Sequence, residues 1–396
     1  MKKLYTLIIL NSIFLISFSQ YSITPKANCP GSLRHHPSGF SVNGMGYYGT
    51  GRTQSGTNLA DWWEYNPTTD TWLQKANFPG GARSYAVGFS IGSKGYLTCG
   101  RISSGTYTNQ HWEYESTTDT WTQKANFGGS AREHPVAVVL NGEGYVGCGW
   151  ASAGNCGDFF KYNPGSNTWI PIPNFPGTIR HHPAGFAVGS KLYVGTGHDV
   201  TSAYMDDFYC YNPVTNSWTQ IANIQGLGRV AASGITLNNN GVLLWGGDDS
   251  GNSYSDYFSY DTLSQTWTQY TGFPGTALWG SAFFVINNKG YVGAGLSGGI
   301  TQNEFYEIAD LTTGVTENNP LTFSVSPNPT SGIFTITCKQ EITAVEVYNT
   351  LGEKIWSGSS SDSIKTEINL SEQAKGIYFV KIVADDKVYT QKLIVK

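Results

Sequence analysis

The stretch "WEYNPTTDTWLQKANFPGGAR", Trp63 to Arg83, returns almost intact as "WEYESTTDTWTQKANFGGSAR" at Trp112–Arg132. It returns three more times in weaker form, at 160–180, 209–229 and 258–278. The landmark tryptophans Trp72, Trp121, Trp169, Trp218 and Trp267 lie 49, 48, 49 and 49 residues apart. A second landmark recurs with them, as "GYYGTG", "GYLTCG", "GYVGCG", "LYVGTG", "VLLWGG" and "GYVGAG". Self-similarity at this period marks stacked supersecondary units.

Each unit reads as four short strands, A to D. Strand A is "GFSV"-like, B is "GYVGCG"-like, C is "FFKYN"-like, and D begins at the landmark tryptophan. The C–D connection "YNPTTDTW" carries Asn, Pro and Asp, which preset φ or bond their own backbone in a tight turn. A four-stranded sheet of this size cannot bury both faces alone, so the units are expected to pack radially as propeller blades. The arginine before strand A, the small residues closing strand B and the "Y-N-P-x-T-x-x-W" hairpin resemble the kelch family. The resemblance runs over 20–315 and implies an all-β propeller. One departure is that most copies show "G-x-G" or "x-C-G" where kelch repeats carry a double glycine, which is read only at Gly246–Gly247.

Six copies of strands A to C stand against five tryptophan strands. "YSITPKANCPGSLR" aligns with "DTWLQKANFPGGAR" and places Ile23 49 residues before Trp72. The N-terminal strand is therefore expected to complete the sixth blade and close the ring. Ahead of it, residues 1–19 have a dilysine start, a short apolar run and small residues at the exit, which read as a signal peptide.

From 316 the repeat stops. Residues 316–322 form a polar joint, and 323–396 hold alternating strands sufficient for a small immunoglobulin-like β-sandwich. "SPNPTSG", "VYNTLGEKI", "INLS", "GIYFVKI" and "KLIV" occur there in the order of the type IX secretion sorting domain, which this tail resembles. The residues carrying that resemblance include Pro327, Asn328, Pro329, Gly332, Gly352, Gly376 and Tyr378. It implies the type IX secretion machinery as a partner and delivery to the outer surface, or release, from a Gram-negative cell.

Removing Lys2 and Lys3 with the signal segment leaves 22 basic and 28 acidic side chains, a formal charge of −6. That balance argues against nucleic acid, which needs a basic patch. The first apolar run is too short for a stable membrane span and no second long one exists, so no transmembrane segment is expected in the mature chain. The six cysteines show no C-x-x-C pairing, and Cys148 and Cys156 flank one loop where a bridge could form.

Strand alternation puts the D–A and B–C connections on one face. All seven arginines fall there, and so do all histidines except His111. Arg34, Arg83, Arg132, Arg180 and Arg229 repeat before strand A, and Asp61, Asp158, Asp207 and Asp256 repeat before strand C. These are read as scaffold ion pairs. Arg52 and Arg101 do not repeat; their counterparts are read as Trp150, His198, Asp248 and Leu296. Two residues after each scaffold arginine, His36, Tyr85, His134 and His182 also differ between blades. Positions that vary on a shared scaffold are where a repeat protein individualises a binding surface, and arginine forks with aromatic rings suit carboxylates, phosphates or sugars.

The expectation is a recognition module for a glycan or cell-surface protein. The alternative is an epimerase or mutarotase of the N-acetylneuraminate-epimerase kind, acting on an acidic sugar, with Glu133 the one candidate for a catalytic base. No cofactor and no metal is expected: His36 and His182 stand on opposite blades, too far apart to share a zinc. Only neighbouring blades, through His134, His182 and His198, offer a set of ligands.

Overall fold

A computed structural model describes residues 21–310 and 324–396 apart from 202, 249, 272, 274, 351, 385 and 386. Residues 1–19, read above as a signal peptide, and 316–322, read as a joint, lie outside the described residues. Two compact units emerge, Met1–Leu311 and Thr312–Lys396.

Among the described residues of the first unit there are six four-stranded antiparallel sheets, the blades of a propeller. Blade one runs Ser38–Val42, Met45–Gly49, Trp62–Asn66 and Thr71–Lys75 from the inside outward. The inner strands of blades two to six are Val87–Ile91, Val136–Leu140, Ala184–Val188, Ser233–Leu237 and Ala282–Ile286. Blade six takes its outer strand from Tyr21–Lys26, which pairs with Ile300–Asp310. The register there repeats that of blade one. Gly46 faces Tyr65, which faces Trp72; Gly290 faces Ile308, which faces Ile23. Ile23 therefore stands where the other blades carry tryptophan.

The repeated hairpin fastens each blade to its neighbour. Asp70 and Asn167 hold the left-handed turn position, with φ of 54° and 52°. Each accepts the hydroxyl of its blade's tyrosine, at 2.8 Å from Tyr65 and 3.0 Å from Tyr162. Each also accepts a backbone N–H of the preceding blade, from Ala27 and Ala125. The indoles of Trp72 and Trp169 donate to the carbonyls of those same alanines at 2.9 and 3.0 Å. One motif thus satisfies both backbone groups of one residue across the seam.

Between the sheets, large and small residues interlock. A Cβ on Gly46, Gly95, Gly144 or Gly241 would lie within 2.6 Å of Phe284, Phe40, Phe89 or Phe186 in the adjoining blade. Blade four has Leu192 at this position, and there the facing residue shrinks to Val138 in the same core cluster. Volume is conserved across the seam.

The departure from the double glycine has a backbone cause. The first residue of each pair sits at φ between 53° and 64° and is Thr50, Cys99, Cys148, Thr196, Trp245 or Ala294. The second, Gly51, Gly100, Gly149, Gly197, Gly246 or Gly295, sits between 90° and 109°. Only the second conformation excludes a side chain. The paired residues in blade five are consequently Trp245 and Gly246, not Gly246 and Gly247. Each of these six glycines donates its N–H to the carbonyl of the next blade's residue in the scaffold-arginine position, from Gly51 to Arg83 at 2.8 Å round to Gly295 to Arg34 at 2.9 Å.

The second unit is a small immunoglobulin-like sandwich with strands Ser324–Ser326, Ile333–Asn349, Lys354–Asn369, Gly376–Ala384 and Lys387–Val395. Phe334, Ile336, Val347, Val380 and Leu393 form its core. Asn328 brackets the last strand, donating to Lys392 O and accepting from Ile394 N. Gly332 holds φ 125° against Ser371, and the Tyr378 hydroxyl donates to Ala374 O. Gly352 turns between strands at φ 84°, and Gly376 opens the fourth strand. Among the described residues no helix is long and apolar enough to cross a membrane.

Candidate functional site

The five repeated arginines are wholly buried. Arg34 reaches both oxygens of Asp61 at 2.6 Å, and Arg132 reaches those of Asp158 at 2.6 and 2.8 Å. Arg180–Asp207 and Arg229–Asp256 repeat the fork within their own blades. Blade two differs: Arg83 meets the neutral Gln110 at 2.5 Å. Burial then pulls the Arg83 pKa down to about 10. Burial pulls on Arg34 and Arg132 too, but Asp61 and Asp158 outweigh it and raise both. These side chains tie strand to strand and present nothing to a ligand.

The individual residues stand inside this frame. His36, Tyr85, His134, His182, Ala231 and Gly280 all adopt left-handed φ, between 48° and 61°. Each donates its N–H to the carbonyl of the corresponding residue one blade back: His36 to Gly280 O, Tyr85 to His36 O, and so round to Gly280, which donates to Ala231 O. The distances run from 2.7 to 3.4 Å. Six hydrogen bonds thus close a backbone ring across the top of the channel.

That ring overturns the expected separation of the histidines. His36 and His182 are on opposite blades, yet their ring centroids are 5.1 Å apart; His134 lies 5.3 Å from His36 and 3.5 Å from His182. Bonding residue to residue leaves the hexagon small, and the imidazoles lean to its centre. Beneath them a chamber of about 100 Å³ is lined by the same three histidines, Tyr85 and Phe283. A wider cavity of about 430 Å³ continues down the channel between the inner strands.

His36 Nδ1 lies 2.8 Å from His35 Nδ1, and His182 Nδ1 lies 3.3 Å from His198 Nε2. The Nε2 atoms of His36 and His182 and both ring nitrogens of His134 are buried without a hydrogen-bond partner. Burial and the neighbouring imidazoles hold all three pKa values well below the ordinary histidine range, so the rings are neutral. The nitrogens of His36, His134 and His182 lie within 4.8 Å of one another, as do those of His181, His182 and His198.

An outer layer surrounds the ring. Backbone bridges pair His35 with Arg52, Ser84 with Arg101, Glu133 with Trp150, His181 with His198, Val230 with Gly247 and Trp279 with Leu296. The blade-five counterpart of Arg52 is therefore Gly247, and the expected Asp248 is displaced by one residue. Asp248 instead orders its own loop, accepting from the N–H groups of Ser250 and Asn252 and from the Tyr254 hydroxyl. Arg52, Arg101 and Glu133 of blades one to three are the ionisable groups that set the charge of the mouth, while Val230, Trp279 and Leu296 make the opposite side apolar.

Glu133 is buried on blade three, beside Arg101 of blade two and within the field of Arg52. Its Oε2 stands 4.0 Å from Arg101 Nη1 and makes no hydrogen bond. Burial pushes its pKa up to about 7, against the opposing pull of Arg101 and Arg52. The Arg101 side chain is 37% exposed, against 0% for the scaffold arginines, although its Nε is buried without a hydrogen bond. Trp150 packs on His181, whose Nδ1 is 2.7 Å from Asn155 Oδ1. His111 is elsewhere, stacked in the core on Tyr96. Cys148 and Cys156 are separate thiols. Cys148 lies buried at the strand-B closure, where its backbone carbonyl accepts from Arg132, while Cys156 is half-buried.

Residues 75–237 match the model of the KLHDC2/KLHL20/DRC7 Kelch-repeats domain, and residues 324–396 match that of the secretion system C-terminal sorting domain. The chain is a kelch-repeat propeller joined to a type IX secretion sorting domain, and hence an exported kelch protein. Among solved structures it is similar to one titled "Structure of YjhT", with a TM-score of 0.60 at 16% identity, covering 72% of this chain and 97% of that one. This likeness is one of fold. Comparison with curated protein sequences finds no match.

Proposed function

We propose that the loop face binds an acidic saccharide, and that the protein is an exported recognition module. The observation that carries this reading is the contrast between the two sets of arginines. Five are spent within the scaffold, while Arg52 and Arg101, on adjacent blades, have no aspartate fork and flank the mouth beside Tyr85 and Glu133. Guanidinium forks bind carboxylates in a bidentate manner, and half-buried Trp150 supplies a ring face for sugar C–H groups. A protein ligand bearing a carboxylate would use the same groups. The tail would deliver the propeller across an outer membrane, to the surface or into the medium.

The test is a glycan array of sialylated, uronate-bearing and neutral sugars probed with the purified chain. Capture restricted to acidic sugars, lost in Arg52→Ala/Arg101→Ala, supports the reading. Silence, or capture that survives both changes, sinks it. A second reading, epimerisation or mutarotation of an acidic sugar, is favoured by the Glu133 oxygen that is buried and unbonded beside Arg101. Proton NMR of a captured sugar decides it: faster anomer or epimer exchange that Glu133→Gln abolishes supports the enzyme, and unchanged exchange rejects it.

A further inference from the structure

We infer that the channel mouth is a divalent transition-metal site of the zinc class, with His36, His134 and His182 as its three protein ligands. The argument is one of unsatisfied donors. Buried polar nitrogens are nearly always hydrogen-bonded, and each exception needs a cause. Here the exceptions fall in one cluster: Nε2 of His36, Nε2 of His182 and both nitrogens of His134 are buried and unbonded, and one ring nitrogen of each histidine lies within 4.8 Å of the others. Their 4.8 Å spread exceeds the roughly 3.4 Å between nitrogens about a tetrahedral zinc with Zn–N near 2.0–2.1 Å. Small side-chain rotations close that gap, since the donors sit on a rigid backbone ring.

The surrounding contacts have the pattern that orients metal-bound imidazoles. A ligating histidine has its other nitrogen held by an outer partner, which fixes ring and tautomer. His36 Nδ1 is held by His35, and His182 Nδ1 by His198. His134 Nδ1 has Glu133 Oε1 at 3.9 Å, a carboxylate within a short rotation of a hydrogen bond. Three imidazoles without thiolates select zinc, copper or nickel rather than calcium or magnesium, which prefer oxygen. Three protein ligands also leave a position open. The chamber of about 100 Å³ lined by the same histidines can admit a water molecule there. The overlapping set His181, His182 and His198 is the weaker candidate, because His198 Nε2 already serves as the outer contact of His182 Nδ1 and neither nitrogen of His181 is a buried atom without a hydrogen bond. The site does not depend on a saccharide being the ligand of the arginines.

The experiment is equilibrium dialysis of the chelator-stripped full chain against Zn²⁺ alone, with Co²⁺ absorption as a reporter of coordination. The expected result is one Zn²⁺ per chain and a Co²⁺ spectrum of a four- or five-coordinate nitrogen site without a thiolate band. His134→Ala and His36→Ala should each weaken uptake on the order of 100-fold, as loss of one of three ligands implies. His181→Ala should change it less than about threefold, being no ligand of this site. His134→Ala forfeits no hydrogen bond, so its cost is confined to lost ring packing on His182 and Tyr85, and a melt of the apo variant separates ligand loss from misfolding. Absence of stoichiometric uptake by the wild type overturns the inference. So does uptake that survives His36→Ala and His134→Ala but fails in His181→Ala. Should either ligand variant fail to fold, the wild-type Co²⁺ spectrum decides, and an octahedral, oxygen-type spectrum refutes the site.

Discussion

Asp61→Ala removes the carboxylate from the Arg34 fork and leaves a wholly buried guanidinium behind. Arg34 keeps Ser32 O at 2.9 Å and Thr50 O at 3.0 Å but loses two charge-assisted bonds of 2.6 Å. The Trp63 indole, 2.8 Å from Asp61 Oδ2, also loses its acceptor. Breaking a buried pair from one side costs about 3–5 kcal/mol, chiefly through the stranded charge. At roughly 2 °C per kcal/mol for a unit of this size, the melting temperature should fall by about 6–10 °C. Asp61→Asn keeps one acceptor and approaches the Arg83–Gln110 arrangement of blade two, so its cost should be nearer 1.5–3 kcal/mol, or about 3–6 °C. Burial raises the Asp61 pKa, but the hydrogen bond and charge of Arg34 more than offset this and leave it lowered. A carboxyl lowered on folding stabilises fully above its unfolded pKa, near 3.9, and loses that contribution as pH falls through its folded value. The gap between wild type and Asp61→Asn should therefore be complete at pH 7 and narrow below about pH 4. Thermal melts of the three proteins between pH 3 and 7 test this. An alanine variant melting within about 1 °C of wild type, or a gap indifferent to pH, would refute the reasoning.

Gly95→Leu drives its side chain into Phe40, whose Cε2 already stands 2.1 Å from a Cβ at this position, and should unfold at lower urea; adding Phe40→Val should recover part of the loss, following the Val138–Leu192 precedent. Deleting 21–26 strips the Ile300–Asp310 edge of its partner and removes buried Tyr21, so size-exclusion chromatography should show association and melting should lose cooperativity. Under native conditions iodoacetamide should modify half-buried Cys156 well before Cys99 or Cys148, whose thiols burial raises to about 12; mass spectrometry giving the reverse order would contradict the burial assigned here. Removing 324–396 should leave the propeller inside the cell envelope, and finding it in the medium at wild-type levels would separate export from the tail.

The repeat of Trp72 to Trp267 was readable because each copy must solve the same local problem of turn, pleat and seam. Blade number and the strand-closed ring follow from that periodicity, and the order of the tail motifs marks the second unit. Sequence by itself also put Arg52, Arg101 and the histidines on one face, since strand alternation is a local rule. It went wrong by one residue at Gly246, where spelling suggested a double glycine but φ assigns the pair to Trp245 and Gly246. It could not bring His36 to His182. Their distance is set by six hydrogen bonds, each joining residues about 49 positions apart or across the closure from Gly280 to His36. No local signal in the chain encodes how small that ring is. Only closure of the tertiary structure turns three separate histidines into one cluster.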